Sequence, residues 1–302
     1  MPELPEVETV VQTLRPKLID QQLTAIQALN SATVVYKNPF EPFIIKNIVR
    51  RGKYIILMGD DHFLTIHLRM TGRLLEKATN KKFIRAILAF TNSSLHFEDM
   101  RKFGRIVFAT GIELEALPGI RNLGPEPWQE QLDKSFYQQL QRSNATIKSF
   151  LLNQKNIAGI GNIYADEICF HAYINPLTVS KSITASIAKR LLNSIRYILN
   201  KAITLRGTTF AHFIDADGKK GNNFEYLQAY GRKGKSCFRC NTPLTTIKIH
   251  NRTTVYCPAC QKIPGNKKEV CTAADSLYIL HLHTFLKRCR KILRRIFGDH
   301  PP

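Results

Sequence analysis

The stretch Pro2-Glu3-Leu4-Pro5-Glu6-Val7-Glu8-Thr9-Val10 places a secondary amine beside a carboxylate at the N-terminus of the chain. Pro5 fits the first position of a helix. Apolar residues then recur at helical spacing, at Val7, Val10, Val11 and Leu14. The stretch predicts a helix whose apolar stripe packs inward and whose tip presents Pro2 and Glu3. The plainer alternative is a capped surface helix after an ordinary start codon.

The helix tip has the residue types that covalent catalysis by an amine requires. If Met1 is removed, Pro2 carries a free ring nitrogen, which can attack the C1′ atom of a sugar and form a charged imine. Glu3 and Glu6 are close enough in sequence to move protons for such a reaction. Both carboxylates are therefore candidate acid–base groups.

The composition points to a polyanionic partner. The 302 residues include 44 Lys and Arg against 23 Asp and Glu, a formal net charge of +21. Such an excess favours binding to nucleic acid or to an anionic membrane surface. No run of 18 apolar residues occurs, so we expect no membrane span. The acidic N-terminus is unlike a signal or transit peptide.

The first part of the chain, residues 1–117, predicts a β-sandwich or barrel after the opening helix. Apolar residues alternate with polar ones from Leu64 to Met70, which predicts a half-buried strand. Further strands are expected near residues 83–90, 94–97 and 105–109. Residues 118–130 are rich in proline and glycine and predict a linker.

The second part, residues 131–228, predicts a helical domain, so the fold class is α+β. The Gly159-Ile160-Gly161-Asn162 turn predicts an N-cap at Asn162 for a helix over 163–170. A longer helix is expected over 184–205. The polar segment Asp215–Asn223 predicts a mobile loop.

Residues 229–263 predict a zinc finger. Two Cys-x2-Cys pairs lie 16 residues apart, and this spacing matches a tetrahedral site of four thiolates. The predicted ligands are Cys237, Cys240, Cys257 and Cys260. Four thiolates leave no open position, so we expect one structural zinc ion. Seven cysteines with this pattern favour a reducing, cytosolic compartment, and Cys169 is expected in the core.

Several motifs occur in a fixed order between Pro2 and about Lys262. They are the Pro2-to-Thr9 start, Arg51-Gly52-Lys53-Tyr54, His67-Leu68-Arg69-Met70-Thr71-Gly72, Asp99-Met100-Arg101-Lys102-Phe103-Gly104, Leu123-Gly124-Pro125-Glu126-Pro127, Ile157 to Glu167, and Tyr230-Gly231-Arg232 before the finger. The ordered set resembles the bacterial formamidopyrimidine-DNA glycosylase family, which includes endonuclease VIII-like enzymes. The resemblance implies that the Gly161-Asn162 segment is part of a helix-two-turn-helix.

The resemblance also implies a bifunctional DNA glycosylase and AP lyase of base excision repair. Its substrate would be double-stranded DNA with oxidised purines or abasic sites, cleaved by β- and δ-elimination. A monomer in the bacterial cytoplasm, associated with the nucleoid, is implied as well. Alternatives are an endonuclease VIII-like glycosylase for oxidised pyrimidines and a damaged-DNA-binding protein without activity.

The resemblance assigns roles to individual residues. Pro2 would be the nucleophile and Glu3 the acid–base group, with Glu6 in support. Lys53 would reach the damaged base and a phosphate; a solvated surface charge is the alternative. The residues implied to fill the void left by the extruded nucleotide are Met70, Arg101 and Phe103. The implied phosphate contacts are His67, Asn162, Arg252 and, with less support, Lys155.

Some of these positions have structural alternatives, and the chain departs from the family pattern in places. The alternative for both Met70 and Phe103 is a core position. The departures are Lys81-Lys82-Phe83, Met100, Lys102 and His250-Asn251. A basic amphipathic extension, residues 264–302, follows the finger. It is expected to dock on the body, to bind DNA, or to bind an anionic membrane.

Overall fold

The structure, a computed structural model, describes residues 1–263. The predicted extension 264–302 lies outside the described residues. The described part contains the α-helices α1 Leu4–Leu18, α2 Glu130–Gln141, α3 Ile147–Leu152, α4 Asn162–His171 and α5 Ala185–Thr204. Within residues 1–263, no helix combines the length and apolar character that crossing a bilayer requires.

Strands accompany the helices in the same part of the chain. They are β1 Gln22–Ala28, β2 Val34–Tyr36, β3 Phe43–Ile44, β4 Asn47–Arg51, β5 Tyr54–Met58, β6 His62–His67, β7 Arg73–Leu75, β8 Ile84–Phe90, β9 Ser94–Glu98, β10 Arg105–Thr110, β11 Thr245–Ile249 and β12 Arg252–Tyr256. The element order confirms the predicted α+β class, with a leading helix and strands followed by helices and a hairpin.

Helix α1 begins with a capping box. The Glu3 side chain accepts from the backbone of Glu6, and the Glu6 side chain accepts from the backbone N–H of Glu3. The predicted apolar stripe is buried from Val7 to Leu14 and packs on the strands that follow. Leu4 instead belongs to the core of the helical region. The N-terminus is therefore held by both of these hydrophobic cores.

Two five-stranded sheets form the predicted sandwich. Their strand orders are β3-β1-β8-β9-β7 and β2-β10-β6-β5-β4. Apolar side chains of both sheets meet in one core, which includes Leu23, Leu57, Leu88 and Phe108. Successive side chains of a strand point to opposite faces, so only one face of each sheet can enter this core.

The expectation of a half-buried strand at Leu64 to Met70 was wrong in two respects. Strand β6 ends at His67, and every residue from Phe63 to His67 is buried. The outer face of this sheet is covered because Leu117 and Ile120 of a later segment pack against it. The alternation in the sequence contains no sign of this cover, which comes from residues far along the chain.

The helical region has its own core, formed by apolar residues of α2, α3, α4 and α5. Cys169 is buried in it, as predicted. The prediction that Asn162 caps α4 was wrong, because Asn162 is the first helical residue and Gly161 occupies the N-cap. The cap hydrogen bonds come from another part of the chain, as described below.

Strands β11 and β12 form the hairpin of the predicted finger. Ile249 pairs with Arg252, so His250 and Asn251 form a two-residue turn. Both turn residues have positive φ, 45° and 60°. This conformation is typical of tight hairpin turns that normally contain glycine or asparagine. The turn thus adopts this geometry with His250 and Asn251 in place of glycine.

Candidate active site

A cavity of about 380 Å³ lies at the tip of α1. Six residues predicted from the sequence line it: Pro2, Glu3, Glu6, Met70, Asn162 and Arg252. Other lining residues have no role in the sequence-based predictions, among them Thr208, Phe210, His212 and Tyr230. The fold therefore brings the N-terminal amine segment, the β6–β7 turn, the start of α4 and the finger hairpin to one place.

The Glu3 carboxylate caps helix α4. It accepts hydrogen bonds from the backbone N–H groups of Gly161 at 2.7 Å, Ile163 at 2.8 Å and Tyr164 at 3.3 Å. These donors form the positive end of the helix, which complements a carboxylate. A Cβ atom at Gly161 would lie 2.4 Å from Glu3 Cδ, so glycine is required there. Glu3 is fixed in position by a helix that begins about 160 residues later in the chain.

Glu6 lies directly behind Glu3 and is buried. Its carboxylate accepts from the Tyr164 hydroxyl at 2.5 Å, from Thr208 N–H at 2.7 Å and from Glu3 N–H at 2.8 Å. Burial raises the pKa of Glu6 to about 7, and the neighbouring Glu3 carboxylate adds to the rise. Glu6 therefore titrates near neutral pH beside the cavity. Tyr164 and Thr208 are supporting residues that the sequence did not reveal.

Lys53 is buried, so it is not a solvated surface charge. Its ammonium group donates to the carbonyl of Ile160 at 2.9 Å, next to the α4 N-terminus. Burial lowers the pKa of Lys53; Glu3 opposes this fall, and Arg252 adds to it. Glu126 fixes the preceding turn by accepting from Gly52 N–H at 2.6 Å and from Arg50 at 2.6 and 2.8 Å. Glu126 thereby joins the linker to the hairpin that carries Lys53.

The three predicted void-filling residues are exposed, which excludes the alternative of core positions. Met70 is 41% exposed and Phe103 is 49% exposed. The Arg101 guanidinium carbon lies 4.9 Å from the centre of the Phe103 ring. Met70 follows β6, whereas Arg101 and Phe103 lie between β9 and β10. Two separate loops therefore present these side chains.

The four predicted phosphate contacts differ in position. Arg252 is exposed at the finger turn, and Asn162 donates to the carbonyl of Thr253 on the same hairpin at 3.2 Å. Lys155 is exposed but does not line the cavity. His67 is buried, and burial lowers its pKa to about 3, with Arg69 and Lys53 adding to the fall. A neutral His67 accepts from Arg69 N–H at 3.0 Å through Nδ1.

The segment after α5 closes one side of the cavity. Phe210 and His212 line it, while Phe213 and Ala216 pack into the sandwich core. The expected loop at Asp215–Asn223 is present, and it is held by Asp215. The Asp215 carboxylate accepts from Arg206 at 2.6 Å and from the backbone N–H groups of Asp217 and Lys219.

The four predicted zinc ligands converge. The Sγ atoms of Cys237, Cys240, Cys257 and Cys260 all lie within 4.8 Å of one another. A tetrahedral zinc ion with Zn–S bonds of about 2.3 Å places its sulfur atoms roughly 3.8 Å apart. The separations of 3.5 Å for Cys240 and Cys257 and 4.0 Å for Cys237 and Cys260 fit that requirement. The cluster fits one structural zinc ion.

Buried acids attach the finger to the helices. Lys148 and Asp166 form a fully buried ion pair at 2.5 Å, and Lys148 also donates to Thr254 at 2.8 Å. The Glu167 carboxylate accepts from three consecutive N–H groups, those of Gln228, Ala229 and Tyr230. Arg252 and Tyr230 are therefore positioned from α4. Asp166 and Glu167 belong to a sequence motif that carried no prediction for either of them.

Three family models match the chain. They describe the formamidopyrimidine-DNA glycosylase N-terminal domain at residues 1–106, the formamidopyrimidine-DNA glycosylase H2TH domain at 123–213, and a zinc finger found in FPG and IleRS at 234–263. The chain is 41% identical to the formamidopyrimidine-DNA glycosylase of Pelotomaculum thermopropionicum, over 87% of this chain and 100% of the relative. The chain belongs to the formamidopyrimidine-DNA glycosylase family.

Solved structures of the family agree with the fold. The MutM (Fpg) protein of Thermus thermophilus has a TM-score of 0.80 and 34% identity, over 86% of this chain and 98% of that one. Lactococcus lactis Fpg in complex with DNA containing an abasic site has a TM-score of 0.76 and 36% identity, over 86% of this chain and 99% of that one. The same protein in complex with DNA containing N7-benzyl-Fapy-dG has a TM-score of 0.78 and 36% identity, over 86% of this chain and 100% of that one. The predicted family, helix-two-turn-helix and zinc finger are confirmed.

Proposed function

We propose that this member of the formamidopyrimidine-DNA glycosylase family acts through an imine formed at Pro2. The enzyme is a DNA glycosylase and AP lyase that acts on oxidised purines and abasic sites in DNA. The observation that supports the mechanism is the cavity shared by Pro2, Glu3 and Arg252. It combines an N-terminal amine, a carboxylate and a cation from three separate parts of the chain.

In the proposed reaction, Met1 is removed and the Pro2 nitrogen attacks C1′ of the extruded nucleotide. The damaged base leaves with the electron pair of the glycosidic bond, and the Pro2 nitrogen loses its proton. The C1′–O4′ bond then breaks, O4′ takes up a proton, and a positively charged imine joins Pro2 to the opened sugar. Glu3 moves protons on the sugar, because its carboxylate is held beside Pro2 by the α4 backbone. Successive β- and δ-elimination then break the strand, and water hydrolyses the imine.

The Pro2 amine must be unprotonated to attack C1′. The buried ammonium group of Lys53 is near enough to Glu3 and Arg252 to influence the same region. A positive charge beside an amine disfavours its protonated form. We therefore assign Lys53 to favouring the neutral form of the Pro2 amine as well as to contacting the lesion.

We assign Arg252, Asn162, His67 and Lys155 to DNA phosphates. The assignment has the most support for Arg252 and Asn162, because both line the cavity. His67, buried and neutral, would act as a hydrogen-bond donor rather than as a cation. Phosphate contacts position the duplex without reading its sequence. We assign Met70, Arg101 and Phe103 to the void that base extrusion leaves.

The location and assembly of the enzyme are part of the same proposal. We infer that it works as a monomer in the bacterial cytoplasm, on nucleoid DNA. The curated relative is bacterial. The excess of Lys and Arg favours electrostatic binding to the DNA backbone, independent of sequence.

The test compares two duplexes, one with 8-oxoguanine and one with an oxidised pyrimidine. The proposal predicts faster strand cleavage of the 8-oxoguanine duplex. Faster cleavage of the pyrimidine duplex would favour the endonuclease VIII-like alternative. Binding without cleavage of either would favour a protein that has lost its activity.

A further inference from the structure

Asp99 is a buried carboxylate at the junction of the two exposed loops that carry Met70, Arg101 and Phe103. It directly follows β9 and is 1% exposed. The backbone of Asp99 is fixed at both of its polar groups. The Asp99 N–H donates to the carbonyl of Phe83, just before β8, at 2.8 Å, and the Asp99 carbonyl accepts from the side chain of Arg85 in β8 at 2.8 Å. The carboxylate therefore projects from a rigid base.

Both oxygens of this carboxylate accept hydrogen bonds from the loops. Oδ1 accepts from the Thr71 hydroxyl at 2.5 Å and from Arg101 N–H at 3.1 Å. Oδ2 accepts from Gly104 N–H at 2.7 Å. A Cβ atom at Gly104 would lie 2.4 Å from the Phe97 ring, so only glycine allows this approach. One side chain thus fixes both ends of the turn from Arg101 to Gly104.

The same carboxylate connects that turn to the other loop. Thr71 follows Met70, and its hydroxyl oxygen also accepts from Arg101 N–H at 3.1 Å. The side chains of Met70, Arg101 and Phe103 are exposed, while the backbone beneath them is tied to one buried group. Lys102, between Arg101 and Phe103, has a φ of 59°, a conformation that needs support from its neighbours.

We propose that Asp99 is a positioning residue that holds Met70, Arg101 and Phe103 as one rigid wedge for the void in the duplex. The proposal rests on the void-filling role assigned above. In this role Asp99 touches neither the sugar nor the base. Its effect comes from preorganisation, because side chains that are already in place lose less conformational freedom when they enter the DNA.

The neighbouring residue Glu98 provides a matched control. It is also buried, at 3% exposed, and its carboxylate accepts from Thr79 N–H at 2.5 Å, from the Thr79 hydroxyl at 2.7 Å and from Asn80 N–H at 2.9 Å. Like Asp99, it fixes a loop through one hydroxyl and two N–H groups. Its loop carries none of the three void-filling residues.

The experiment measures binding of the full chain to duplexes with an uncleavable tetrahydrofuran abasic site and to undamaged duplexes. Asp99→Asn places an amide N–H against a backbone N–H or the Thr71 hydroxyl. We expect roughly tenfold weaker binding to the tetrahydrofuran duplex, as the loss of a charge-assisted hydrogen bond predicts, and a change within about twofold for undamaged DNA. Glu98→Gln should leave the ratio of the two affinities unchanged.

The base opposite the tetrahydrofuran site gives a second readout, which a general loss of stability would not move. In Asp99→Asn the affinities for the four opposite bases should converge, because Arg101, whose guanidinium can donate hydrogen bonds to the edge of the unpaired opposite base, is no longer held in place. Thr71→Val, which removes only the bridging hydroxyl, should shift both readouts in the same direction by a smaller factor. If Asp99→Asn does not fold, Thr71→Val tests the proposal through the same two readouts.

The proposal would be overturned if Asp99→Asn lost the same factor of affinity for tetrahydrofuran DNA and for undamaged DNA. It would also be overturned if Glu98→Gln changed the ratio of these two affinities as much as Asp99→Asn does. Because the tetrahydrofuran site is not cleaved, this result does not depend on Pro2 chemistry. A failure of the proposed enzymatic function appears separately, as wild-type protein that binds the site normally but does not cleave 8-oxoguanine DNA.

Discussion

The N-terminal segment Pro2–Glu6 and the turn Arg101–Gly104 are both assigned to DNA, but their side chains are presented differently. Pro2, Glu3 and Glu6 are buried, and the two carboxylates accept hydrogen bonds from backbone groups of the helical region. Arg101 and Phe103 are exposed above a backbone that Asp99 fixes.

The difference follows from what each region has to do. Groups that perform chemistry at one atom must be held to within a fraction of an ångström, and buried hydrogen bonds provide that precision. Groups that replace a nucleotide must project from the surface to enter the stack. We therefore expect substitutions at Pro2, Glu3 and Glu6 to lower reaction rates, and substitutions at the exposed loops to lower selectivity for damage.

The largest effect is expected at Pro2. Pro2→Gly replaces the ring nitrogen with a primary amine in a more flexible segment, so trapping of the imine by borohydride should fall by roughly a hundredfold or more. Affinity for tetrahydrofuran DNA should stay within about threefold, because phosphates and the void are contacted elsewhere. The measurement is single-turnover trapping on an 8-oxoguanine duplex.

Pro5→Ala is the matched control for Pro2→Gly. Pro5 lies on the same helix, and its nitrogen is part of a peptide bond whether or not Met1 is removed. Trapping by this variant should resemble that of the wild type. Undiminished trapping by Pro2→Gly would transfer the nucleophile's role to another amine.

Glu3→Gln should come next in size. General acid–base groups contribute about a hundredfold or more, so excision of 8-oxoguanine should fall by at least that factor. Cleavage of a preformed abasic site should fall less, because base departure is already complete. Glu8→Gln is the control, since Glu8 lies on the same helix but accepts from Arg50 at 2.8 Å. An equal fall of both activities in Glu3→Gln would contradict separate roles in the two steps.

Loss of the zinc cluster should weaken DNA binding more than it slows the reaction at Pro2. Cys237→Ser leaves three thiolates, so the zinc content should fall from one per chain towards zero and DNA affinity by roughly tenfold. Cys169→Ala, a buried cysteine outside the cluster, should retain the zinc. Metal analysis and binding to tetrahydrofuran DNA check both statements. Full affinity in a zinc-free Cys237→Ser protein would show that the finger does not hold DNA.

The smallest effect is a pH dependence of stability from Glu6. Its folded pKa of about 7 lies above the ordinary value of 4.5, so the folded protein binds this proton more tightly than the unfolded chain. The resulting stability is fully present below pH 4.5 and is lost as the pH rises through about 7. The loss should amount to roughly 1–3 kcal/mol. Denaturant unfolding between about pH 4.5 and pH 8 measures it.

Glu6→Gln should remove that part of the pH dependence, because glutamine does not titrate. The glutamine variant should also be less stable at low pH, since its amide group meets an N–H donor at Glu3 or Thr208. An identical pH slope in the wild type and in Glu6→Gln would show that Glu6 does not titrate in this range.

Local patterns in the sequence were sufficient for some of these features. The stripe from Val7 to Leu14 identified α1, and the spacing of the cysteines identified the metal cluster, because in both cases the interacting residues are near each other in the chain. The ordered motifs identified the family. Each of these signals can be seen in a single sequence without knowledge of the tertiary contacts.

Other features depend on residues that are far apart in sequence. Asn162 looked like a helix cap, but Glu3 supplies the cap hydrogen bonds from 158 to 161 positions away. The outer face of β6 looked solvated in the sequence, whereas Leu117 and Ile120 cover it. The link between Asp99 and the loop that carries Met70 was not visible either, because the Thr71 hydroxyl that makes it is 28 residues away from Asp99 in the sequence. The positioning residues of the site were therefore visible only in the folded chain.

The most direct test of the central claim is to locate the covalent adduct. The wild-type protein is incubated with 8-oxoguanine duplex and borohydride, digested, and analysed by mass spectrometry. We expect the DNA-derived mass on a peptide that begins at Pro2, attached to the Pro2 nitrogen. An adduct on a lysine such as Lys53 or Lys155, or strand cleavage without any adduct, would contradict it.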